Sequence, residues 1–575
     1  MPADSLHINT KGVERNTFDA IVIGSGISGG WAAKELCEKG LKTLVLERGR
    51  DVKHIKDYPT TSMNPWELAH RGQLTTTLAK ENPIANRCYA FDEATQHFFV
   101  KDKEHPYIQE KPFDWIRGYQ VGGKSLIWAR QTQRWSRFEF ENPARDGYAA
   151  WPIGYKDLAP WYSHVEKFVG ISGNKDGLET LPDGEFLEPW QMNCPEKHIQ
   201  QAIHTNYKDR NVIQGRCAHL TSPQQVHLDQ GRGKCQARNI CYRGCPFGGY
   251  FSSNSSTLPW AEKTGNLTLR PFSVVHSIIY DEQKEKATGV RVIDTNTGLA
   301  TEYFAKIIFV NAACLNTNLI LLNSVSNRFQ NGLGNDSGLL GKYIAFHDYR
   351  ANIGATLEGF ADKTEYGRRP TAAMIPNFRN VYKHEMDFYG GYMMHYTASP
   401  ISWQRGFSMD GVGASYKNNL TEPGADWSIY MMIQAETIPQ EKNHVRLSKD
   451  QKDQWGMPLL ITAVDYAEND NKKMKDFWEQ GSAMLEKAGC KNINPYDNGR
   501  VPGNDIHEMG GVRMGKDAKT SLLNGNSQMH LCKNVFVTDG AGMVSTGNQN
   551  PSLTYMALTA RAANFAVSEL KKQNL

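Results

Sequence analysis

The glycine-rich segment near the amino terminus restricts the fold of this chain more than any other feature of its sequence. Residues 18–23 read FDAIVI, which predicts a short buried strand. Gly24, Gly26 and Gly29 follow directly in G-x-G-x-x-G spacing. In a strand–loop–helix unit with this spacing, the first glycine permits a tight turn and the second lets the backbone approach a pyrophosphate. The third lets the helix pack closely on the strand.

The residues after the glycines complete this unit. Residues 31–39 predict an amphipathic helix that ends at Gly40, and the LKTLVLE run predicts a second buried strand that ends at Glu47. The amino terminus of such a helix offers free N–H groups and the positive end of its dipole to a pyrophosphate. An acid at the position of Glu47 accepts hydrogen bonds from a ribose and disfavours a ribose phosphate. The unit therefore predicts a dinucleotide site, for FAD or for NAD.

Length, charge and hydropathy limit the class of protein. The 575 residues are too many for one ordinary core, so we expect at least two domains. The net charge is only +4 and no block of like charge occurs, which argues against a nucleic-acid partner. The amino-terminal MPADSLHINTKGVERNTFDA is polar, and no apolar run is long enough for a membrane helix. We expect a chain without its own export signal, either cytoplasmic or carried folded into the periplasm by a signal-bearing partner.

The middle of the chain adds a second glycine site and a second sheet. RGYQVGGKSLIW contains Gly122 and Gly123, where the backbone is expected to approach a ligand. Residues 51–115 predict loops and short helices that could form a lid. Alternating aromatic runs in residues 350–465 predict an antiparallel sheet that faces a pocket, and residues 470–489 predict an amphipathic helix.

The carboxyl-terminal segment carries a third strand–glycine turn and a long helix. NVFVTDGAG predicts a strand that ends at Asp539, and the NPSLTYMALTARAANFAVSEL run predicts a helix. Asn550 can cap this helix and Pro551 suits its first turn. Upstream, IHEMGGVRMG places His507 beside a glycine pair.

Taken together, these segments give the chain a family resemblance. GSGISGG with Glu47, RGYQVGGKSLIW, VNAACLNTNLILLNS, HEMGGVRMG and VTDGAGM with NPSLTYMALTARAAN occur in the order found in the glucose–methanol–choline (GMC) flavin oxidoreductases. The chain resembles most the bacterial FAD-dependent sugar dehydrogenases (glucose, gluconate and glucoside 3-dehydrogenase types) and the pyranose oxidases. The resemblance implies an α/β fold, in which a Rossmann-like FAD-binding domain is interleaved with an α+β substrate domain containing a mainly antiparallel sheet.

The resemblance also divides the chain into alternating parts. The FAD-binding domain would comprise residues 15–135, with the lid at 51–115, residues 226–345, with a cysteine loop at 235–246, and residues 501–575, which include the catalytic segment. The substrate domain would comprise residues 136–225 and 346–500.

The resemblance assigns His507 and Asn550 as the catalytic pair that faces the flavin N5. A neutral imidazole is the usual base for a hydroxyl near neutral pH, and Asn550 would orient that hydroxyl or the developing alkoxide. The alternatives are that Asn550 only caps its helix and that Asp539 is only a turn residue. The residues expected to bind the cofactor are Gly24, Gly26, Gly29, Glu47, Gly122, Gly123, Ser125, Val275, Asp539, Gly540, Pro551 and Ser552.

Two residues depart from the pyranose oxidases. Those enzymes carry a histidine that bonds covalently to the flavin, and the matching residue here is Ile127. We therefore expect non-covalent FAD. They also carry a threonine near N5 that helps oxygen to react, and the matching residue here is Ala129. This difference favours a dehydrogenase over an oxidase.

Three of the ten cysteines lie in one loop, whereas the others are scattered and suit buried reduced thiols. Cys235, Cys241 and Cys245 have C-x5-C-x3-C-P spacing, which is neither that of ferredoxins nor that of a paired zinc site. Three thiolates without a fourth suit a [3Fe-4S] cluster, and the spacing resembles that of flavin glucose dehydrogenases, where such a cluster passes electrons to a cytochrome. The alternatives are a zinc site completed by a distant histidine, or three unligated thiols.

The resemblance predicts an FAD-dependent sugar dehydrogenase that oxidises a secondary hydroxyl of a sugar or glycoside to a ketone. A small signal-bearing subunit and a cytochrome would be its protein partners. The alternatives are an oxygen-using pyranose or glycoside oxidase without a cluster, a non-redox lyase that contains FAD, and a flavoprotein that only carries electrons.

Overall fold

The helices lie between and around two separate sheets. The computed structural model describes residues 8–9, 16–363, 371–401, 411–421 and 426–575. The helices in these parts of the chain are α1 (Ile27–Glu38), α2 (Thr76–Glu81), α3 (Arg137–Arg145), α4 (Tyr155–Val169), α5 (Cys194–Asn206), α6 (Gln225–Asp229), α7 (Thr257–Lys263), α8 (Cys314–Asn323), α9 (Gly413–Thr421), α10 (Glu468–Lys487) and α11 (Ser552–Lys571). None of these helices is long and apolar enough to cross a membrane.

The strands form the two large sheets and two small ones. Those of the amino-terminal half are β1 (Ile8–Asn9), β2 (Thr17–Ile23), β3 (Thr43–Leu46), β4 (Ile108–Gln109), β5 (Ile171–Ser172), β6 (Phe186–Leu187), β7 (Ile213–Gln214), β8 (Leu267–Arg270) and β9 (Ser273–Asp281). The later strands are β10 (Lys286–Asp294), β11 (Ala300–Val310), β12 (His347–Asp348), β13 (Ala351–Leu357), β14 (Ala373–Ile375), β15 (Tyr392–Pro400), β16 (Trp427–Glu436), β17 (His444–Lys452), β18 (Pro458–Ala463), β19 (Lys491–Asp497) and β20 (Val535–Val537).

The first large sheet collects the ends of its parallel strands at one edge. Its strands lie in the order β8-β3-β2-β11-β10-β9, and β1 and β20 also pair with β11. β8, β3, β2, β11 and β20 run parallel, and the register aligns their last residues. The turn at Gly24 therefore emerges beside Glu47, Asn311 and Asp539, at the edge where open parallel sheets bind ligands.

Small side chains allow helices to lie close to this sheet. Ala32 and Ala33 of α1 share one buried cluster with Ala562 and Ala566 of α11 and with Val22 of β2. β2 and β3 are buried on both faces, which explains their continuous apolar runs. α1 begins at Ile27, before the predicted start, because the glycine turn leads directly into the helix.

The second large sheet is antiparallel, as its alternating sequence predicts. Its strands lie in the order β19-β13-β16-β15-β14-β7, and β12 pairs with β16. One face packs on α5 and α10 through side chains such as Ile199, Met431 and Phe477. The other face carries His395 and Gln434, and His395 Nε2 lies 3.0 Å from Gln434 Oε1.

The order of these elements confirms the predicted fold class. The first sheet takes its strands from the beginning, middle and end of the chain. The second sheet takes its strands from the two segments of the chain that separate these parts. The exact domain boundaries stay predictions. Residues 51–115 contain α2 and short helical turns, as predicted, and their function as a lid stays a prediction.

Candidate active site

One cavity brings together most of the residues that the sequence singles out. It lies along the carboxyl edge of the first sheet, and its empty space is about 1630 Å³ with the mouth included. The predicted residues that line it are Gly24, Gly26, Glu47, Gly123, Ser125, Val275, His507, Asp539, Gly540, Asn550, Pro551 and Ser552. Gly29 and Gly122 lie outside this lining.

The three glycines of the first loop differ in what surrounds them. A Cβ atom on Gly24, where φ is +94°, would lie 2.3 Å from Asn311 O, and one on Gly29 would lie 1.9 Å from Gly24 O. A Cβ atom on Gly26 would meet nothing within 4 Å. The protein itself therefore requires glycine at Gly24 and Gly29, whereas Gly26 leaves open space on the cavity side.

Glu47 is held by the same loop. Its Oε2 accepts hydrogen bonds from Ser25 Oγ at 2.6 Å and from Ser25 N at 3.2 Å, and its Oε1 accepts one from Gly49 N at 2.9 Å. Burial raises the pKa of this carboxyl group. These contacts fix the carboxyl group at the cavity wall, where the predicted bonds to a ribose would form.

The second glycine segment packs against the first. Gly122 has a φ of +89°, and a Cβ atom there would lie 1.6 Å from Asn254 Oδ1. Gly122 N donates to Ser25 Oγ at 3.0 Å. Ser125 Oγ donates to Gly122 O at 2.6 Å and accepts from Ser253 N at 3.0 Å. Gly122 therefore supports the cavity wall, and Gly123 and Ser125 form part of it.

Asp539 is both a turn residue and a cavity residue. Its Oδ1 accepts from Ala541 N at 3.0 Å and its Oδ2 accepts from Thr317 Oγ1 at 2.6 Å. Burial raises the pKa of Asp539 to about 6. Asp539 also lines the cavity, so it is not only a turn residue.

Buried polar atoms without partners mark the cavity as a site for a polar ligand. Asn311 Nδ2, Glu508 Oε1, Asn550 Oδ1 and Tyr555 Oη belong to cavity residues and have no hydrogen-bond partner in the described parts of the chain. Buried polar groups are nearly always hydrogen-bonded in folded proteins, so such atoms call for a ligand or water. They fit a bound dinucleotide such as FAD, which offers phosphate, ribose and flavin hydrogen-bonding groups.

Sequence reasoning missed three of these residues. Asn311 follows the carboxyl end of β11, so the same rule that identified Glu47 could have identified it. Glu508 stands beside His507 and accepts from Lys124 Nζ at 3.2 Å. Tyr555 lies inside α11 and carries no signal of its own in the sequence.

His507 is half-buried and neutral. Its pKa lies well below the usual value, because of burial first and then of the neighbouring His347, Lys124 and His395. His507 Nδ1 lies 2.8 Å from His347 Nδ1, and the two rings meet edge to face at 85°. Asp505 Oδ2 accepts the backbone N–H of His507 at 3.1 Å. An uncharged imidazole in this cavity can accept a proton from a hydroxyl group.

Asn550 does not cap α11. The helix begins at Ser552, Pro551 occupies the cap position, and no side chain caps the helix. The Asn550 side chain instead lines the cavity and leaves its Oδ1 without a hydrogen-bond partner in the described parts of the chain. The alternative that Asn550 merely caps its helix is therefore wrong, since its side chain caps no N–H group of α11 and belongs to the cavity wall.

In the described structure, the three clustered cysteines do not form a site for a single metal ion. Cys241 Sγ lies 3.8 Å from His219 Nε2, and Cys245 Sγ accepts from Gly249 N at 3.3 Å. Within the described ranges, no group of three His, Cys, Asp or Glu side chains is placed to hold a metal ion. The predicted ligand set Cys235, Cys241 and Cys245 is therefore not assembled around one ion.

Two buried arginines lie close to this loop. Arg130 lines the cavity, lies over the rings of Tyr242 and Tyr250 at 4.6 Å and 5.0 Å, and has no hydrogen-bond partner for its Nε and Nη1 atoms. Arg232 Nε donates to Gly248 O at 3.0 Å, and burial lowers the pKa of Arg232 to about 9. In the parts that the structure describes, neither arginine forms an ion pair with a carboxylate. The cysteine loop therefore adjoins the cavity beside two buried cations that have no carboxylate partner in the described parts of the chain.

Comparison with known proteins identifies the family. Two family models, both described as GMC oxidoreductase, match residues 18–348 and 439–559. The chain is similar to the fructose dehydrogenase large subunit of Gluconobacter japonicus, with 25% identity over 97% of this chain and 99% of that protein. It is similar to the 2-methyl-1,2-propanediol dehydrogenase of Mycolicibacterium austroafricanum, with 27% identity over 95% of this chain and 94% of that protein.

A solved structure shows the same fold. The crystal structure of pyridoxine 4-oxidase from Mesorbium loti has a TM-score of 0.60 and 15% identity, and the match covers 96% of this chain and 99% of that one. The family models together cover more than half of the chain, from the first glycine loop to α11. The chain therefore belongs to the GMC oxidoreductases and is an FAD-dependent enzyme that acts on CH–OH groups.

Proposed function

We propose that this enzyme oxidises a secondary hydroxyl group of a sugar or glycoside to a ketone, as a dehydrogenase. The observation that carries the proposal is the neutral, half-buried His507 in the same cavity as the glycine loop at Gly24 and Gly26. Oxidation of an alcohol removes a proton from oxygen and a hydride from carbon. In this proposal His507 takes the proton, and FAD, when bound, would supply the hydride acceptor.

The residues of the cavity have separate tasks in this reaction. The two glycine segments, Glu47 and Asp539 would hold the dinucleotide. His507 binds the reacting hydroxyl and receives its proton. Asn550 Oδ1 accepts a hydrogen bond from a neighbouring hydroxyl of the same substrate. Pro551 and Ser552 bring the amino terminus of α11 to the cavity, where its positive dipole end favours negative charge on a bound group.

A polar wall supports a substrate with several hydroxyl groups. Gln131 lines the cavity, and Gln133 Nε2 donates to Gln131 Oε1 at 3.1 Å. Outside the cavity lining, the Gln434 amide of the second sheet connects His395 to the Tyr349 hydroxyl. Amides and imidazoles both donate and accept, as recognition of a polyol requires. The names of the relatives, which specify fructose and 2-methyl-1,2-propanediol, also support a substrate with several hydroxyl groups.

The test of this proposal is anaerobic reduction of the bound flavin. We expect at least one member of a panel of pyranoses, glycosides and polyols to bleach the flavin absorbance in the absence of oxygen. An unchanged flavin spectrum with every compound would contradict the substrate class. A lyase would convert its substrate without bleaching, and an electron carrier without a substrate would not bleach with any compound.

The dehydrogenase proposal has its own test. Ile127 and Ala129 line the cavity at the places where pyranose oxidases bind flavin covalently and assist oxygen. We therefore propose non-covalent FAD, which acid precipitation would release, and slow reoxidation of the reduced enzyme by oxygen. Rapid peroxide formation in air would favour the oxidase alternative.

For the electron acceptor we propose a cytochrome, reached with the help of a cluster on the cysteine loop. The support for a [3Fe-4S] cluster is the charge of Arg130 and Arg232, because buried cations without carboxylates need a negative partner. Three thiolates on a cluster would provide it, and the cluster would supply one-electron storage. The ligands of a cluster bind different iron atoms, so their sulfur atoms need not surround a single ion.

Iron analysis tests the cluster. The protein, purified without oxygen, is expected to contain iron and sulfide in the ratio of the cluster formula, and Cys241→Ser should remove most of both. Cys490→Ser changes a buried cysteine in the core between the second sheet and its helices, and should leave the iron content unchanged. Iron-free wild-type protein with bound FAD would overturn the cluster and leave the substrate proposal intact.

The relative named as a large subunit supports a partner subunit for this chain. We propose a small subunit that carries an export signal and would take the folded enzyme to the periplasm. Co-purification after expression with neighbouring reading frames, followed by cell fractionation, tests both points.

A further inference from the structure

Two histidines and one carbonyl group form a chain of hydrogen bonds behind the cavity. His507 Nδ1 lies 2.8 Å from His347 Nδ1, and His347 Nε2 lies 2.9 Å from Gly547 O. His347 is fully buried and does not line the cavity, so it acts on a substrate only through His507. The chain ends at a carbonyl oxygen, which can only accept a hydrogen bond.

The carbonyl group determines which nitrogen atoms carry protons. Because Gly547 O is an acceptor, the proton of His347 must be on Nε2. Burial lowers the pKa of His347 to about 4, so the ring is neutral and its Nδ1 has a lone pair. That lone pair requires a proton on His507 Nδ1. His507 is neutral as well, so its Nε2 is left unprotonated and able to act as a base.

One carboxyl group holds the backbone of both histidines in place. Asp505 Oδ2 accepts the N–H of His347 at 3.0 Å and the N–H of His507 at 3.1 Å. Asp505 Oδ1 accepts the N–H of Gly503 at 3.1 Å. This carboxyl group connects β12 to the loop before the glycine pair, so the distance between the two imidazoles is set by the fold.

We propose that His347 is a positioning residue that holds His507 in the Nδ1–H tautomer and so presents Nε2 to the substrate hydroxyl. The use of this tautomer in catalysis rests on the proposed function, whereas the tautomer itself does not. Neutral histidine has two tautomers, and only one of them leaves the lone pair on the nitrogen that faces away from His347. A wrong tautomer would place a proton where the base must accept one.

Two amide variants separate the parts played by the two nitrogen atoms of His347. In His347→Asn the Oδ1 atom takes the place of Nδ1 and can still accept from His507. In His347→Gln the amide nitrogen takes the place of Nε2 and can bond to Gly547 O, but nothing accepts from His507. We expect the Gln variant to lose about 10–100-fold in the rate of flavin reduction by substrate, as is usual for the partner of a functional histidine.

The Asn variant should retain most of the rate, and both variants should keep bound FAD and an unchanged KM. His276→Gln serves as the control, because His276 is half-buried, has a similarly low pKa of about 4 and lies outside the cavity. Equal losses in the Asn and Gln variants, or no loss in either, would contradict the proposal and indicate a structural role only.

Nitrogen NMR of protein labelled with ¹⁵N-histidine tests the tautomer without any substrate. The signals of His507 are assigned by their absence in His507→Gln. We expect a protonated Nδ1 and an unprotonated Nε2 in the wild-type protein and in His347→Asn, and a mixture of tautomers in His347→Gln. A protonated Nε2 in the wild-type protein would overturn the proposal. This result does not depend on whether a sugar is the substrate.

Discussion

Replacement of His507 by alanine is expected to slow flavin reduction by substrate about 10²–10⁴-fold, the usual effect of losing a general base. The FAD content should stay the same, because the contacts that support the glycine loop do not involve His507. The measurement is anaerobic stopped-flow bleaching of the flavin, with FAD counted after acid precipitation. His276→Ala is the matched control.

The pH dependence gives a second readout of the same residue. His507 is active when neutral, and its pKa is depressed by burial and by the neighbouring His347, Lys124 and His395. The acidic limb of kcat/KM should therefore lie below pH 6.5 and disappear in the alanine variant. A limb near neutrality would instead report the nearby Asp505 carboxyl group, because burial and then the neighbouring Glu508 raise its pKa to about 7. An unchanged rate in His507→Ala would exclude His507 as the base.

Local sequence patterns predict the part of the site that local geometry builds. Buried apolar runs that precede Gly24, Glu47 and Asp539 predict three strands. Parallel pairing with aligned ends then brings these three residues to one edge of the sheet. The antiparallel sheet follows from alternation in the same way. The start of α11 differs from the prediction because Pro551 takes the cap position and the Asn550 side chain lies in the cavity wall.

Long-range packing builds the remainder, and the sequence carries little sign of it. His347 lies in β12, a strand of two residues, and meets His507 from 160 residues away. Arg130 has an unremarkable sequence context, and its importance depends on its burial beside the cysteine loop. For the same reason, the spacing of the cysteines predicts a shared loop but does not fix the positions of their sulfur atoms.

The Gly26→Ala variant is expected to fold normally and to bind FAD about 10–100-fold more weakly, because the added methyl group overpacks the cofactor site by about 1–3 kcal/mol. The protein alone accommodates this methyl group, since a Cβ atom at Gly26 meets nothing within 4 Å. Its φ of −67° is also open to alanine. The loss should therefore appear only where the dinucleotide approaches the backbone. Titration of the apoprotein with FAD and thermal unfolding of the apoprotein measure the two effects separately.

Two further glycine variants make this result specific. Gly29→Ala should destabilise the apoprotein itself, because its Cβ atom would lie 1.9 Å from Gly24 O and the helix would have to move away from the strand. Gly354→Ala, in β13, also adds a methyl group to open space and should change neither FAD affinity nor stability. If Gly26→Ala binds FAD as tightly as Gly354→Ala does, the backbone at Gly26 does not approach the pyrophosphate. The cofactor would then have to be held mainly by the other residues of the cavity, such as Glu47, Asn311 and Asp539.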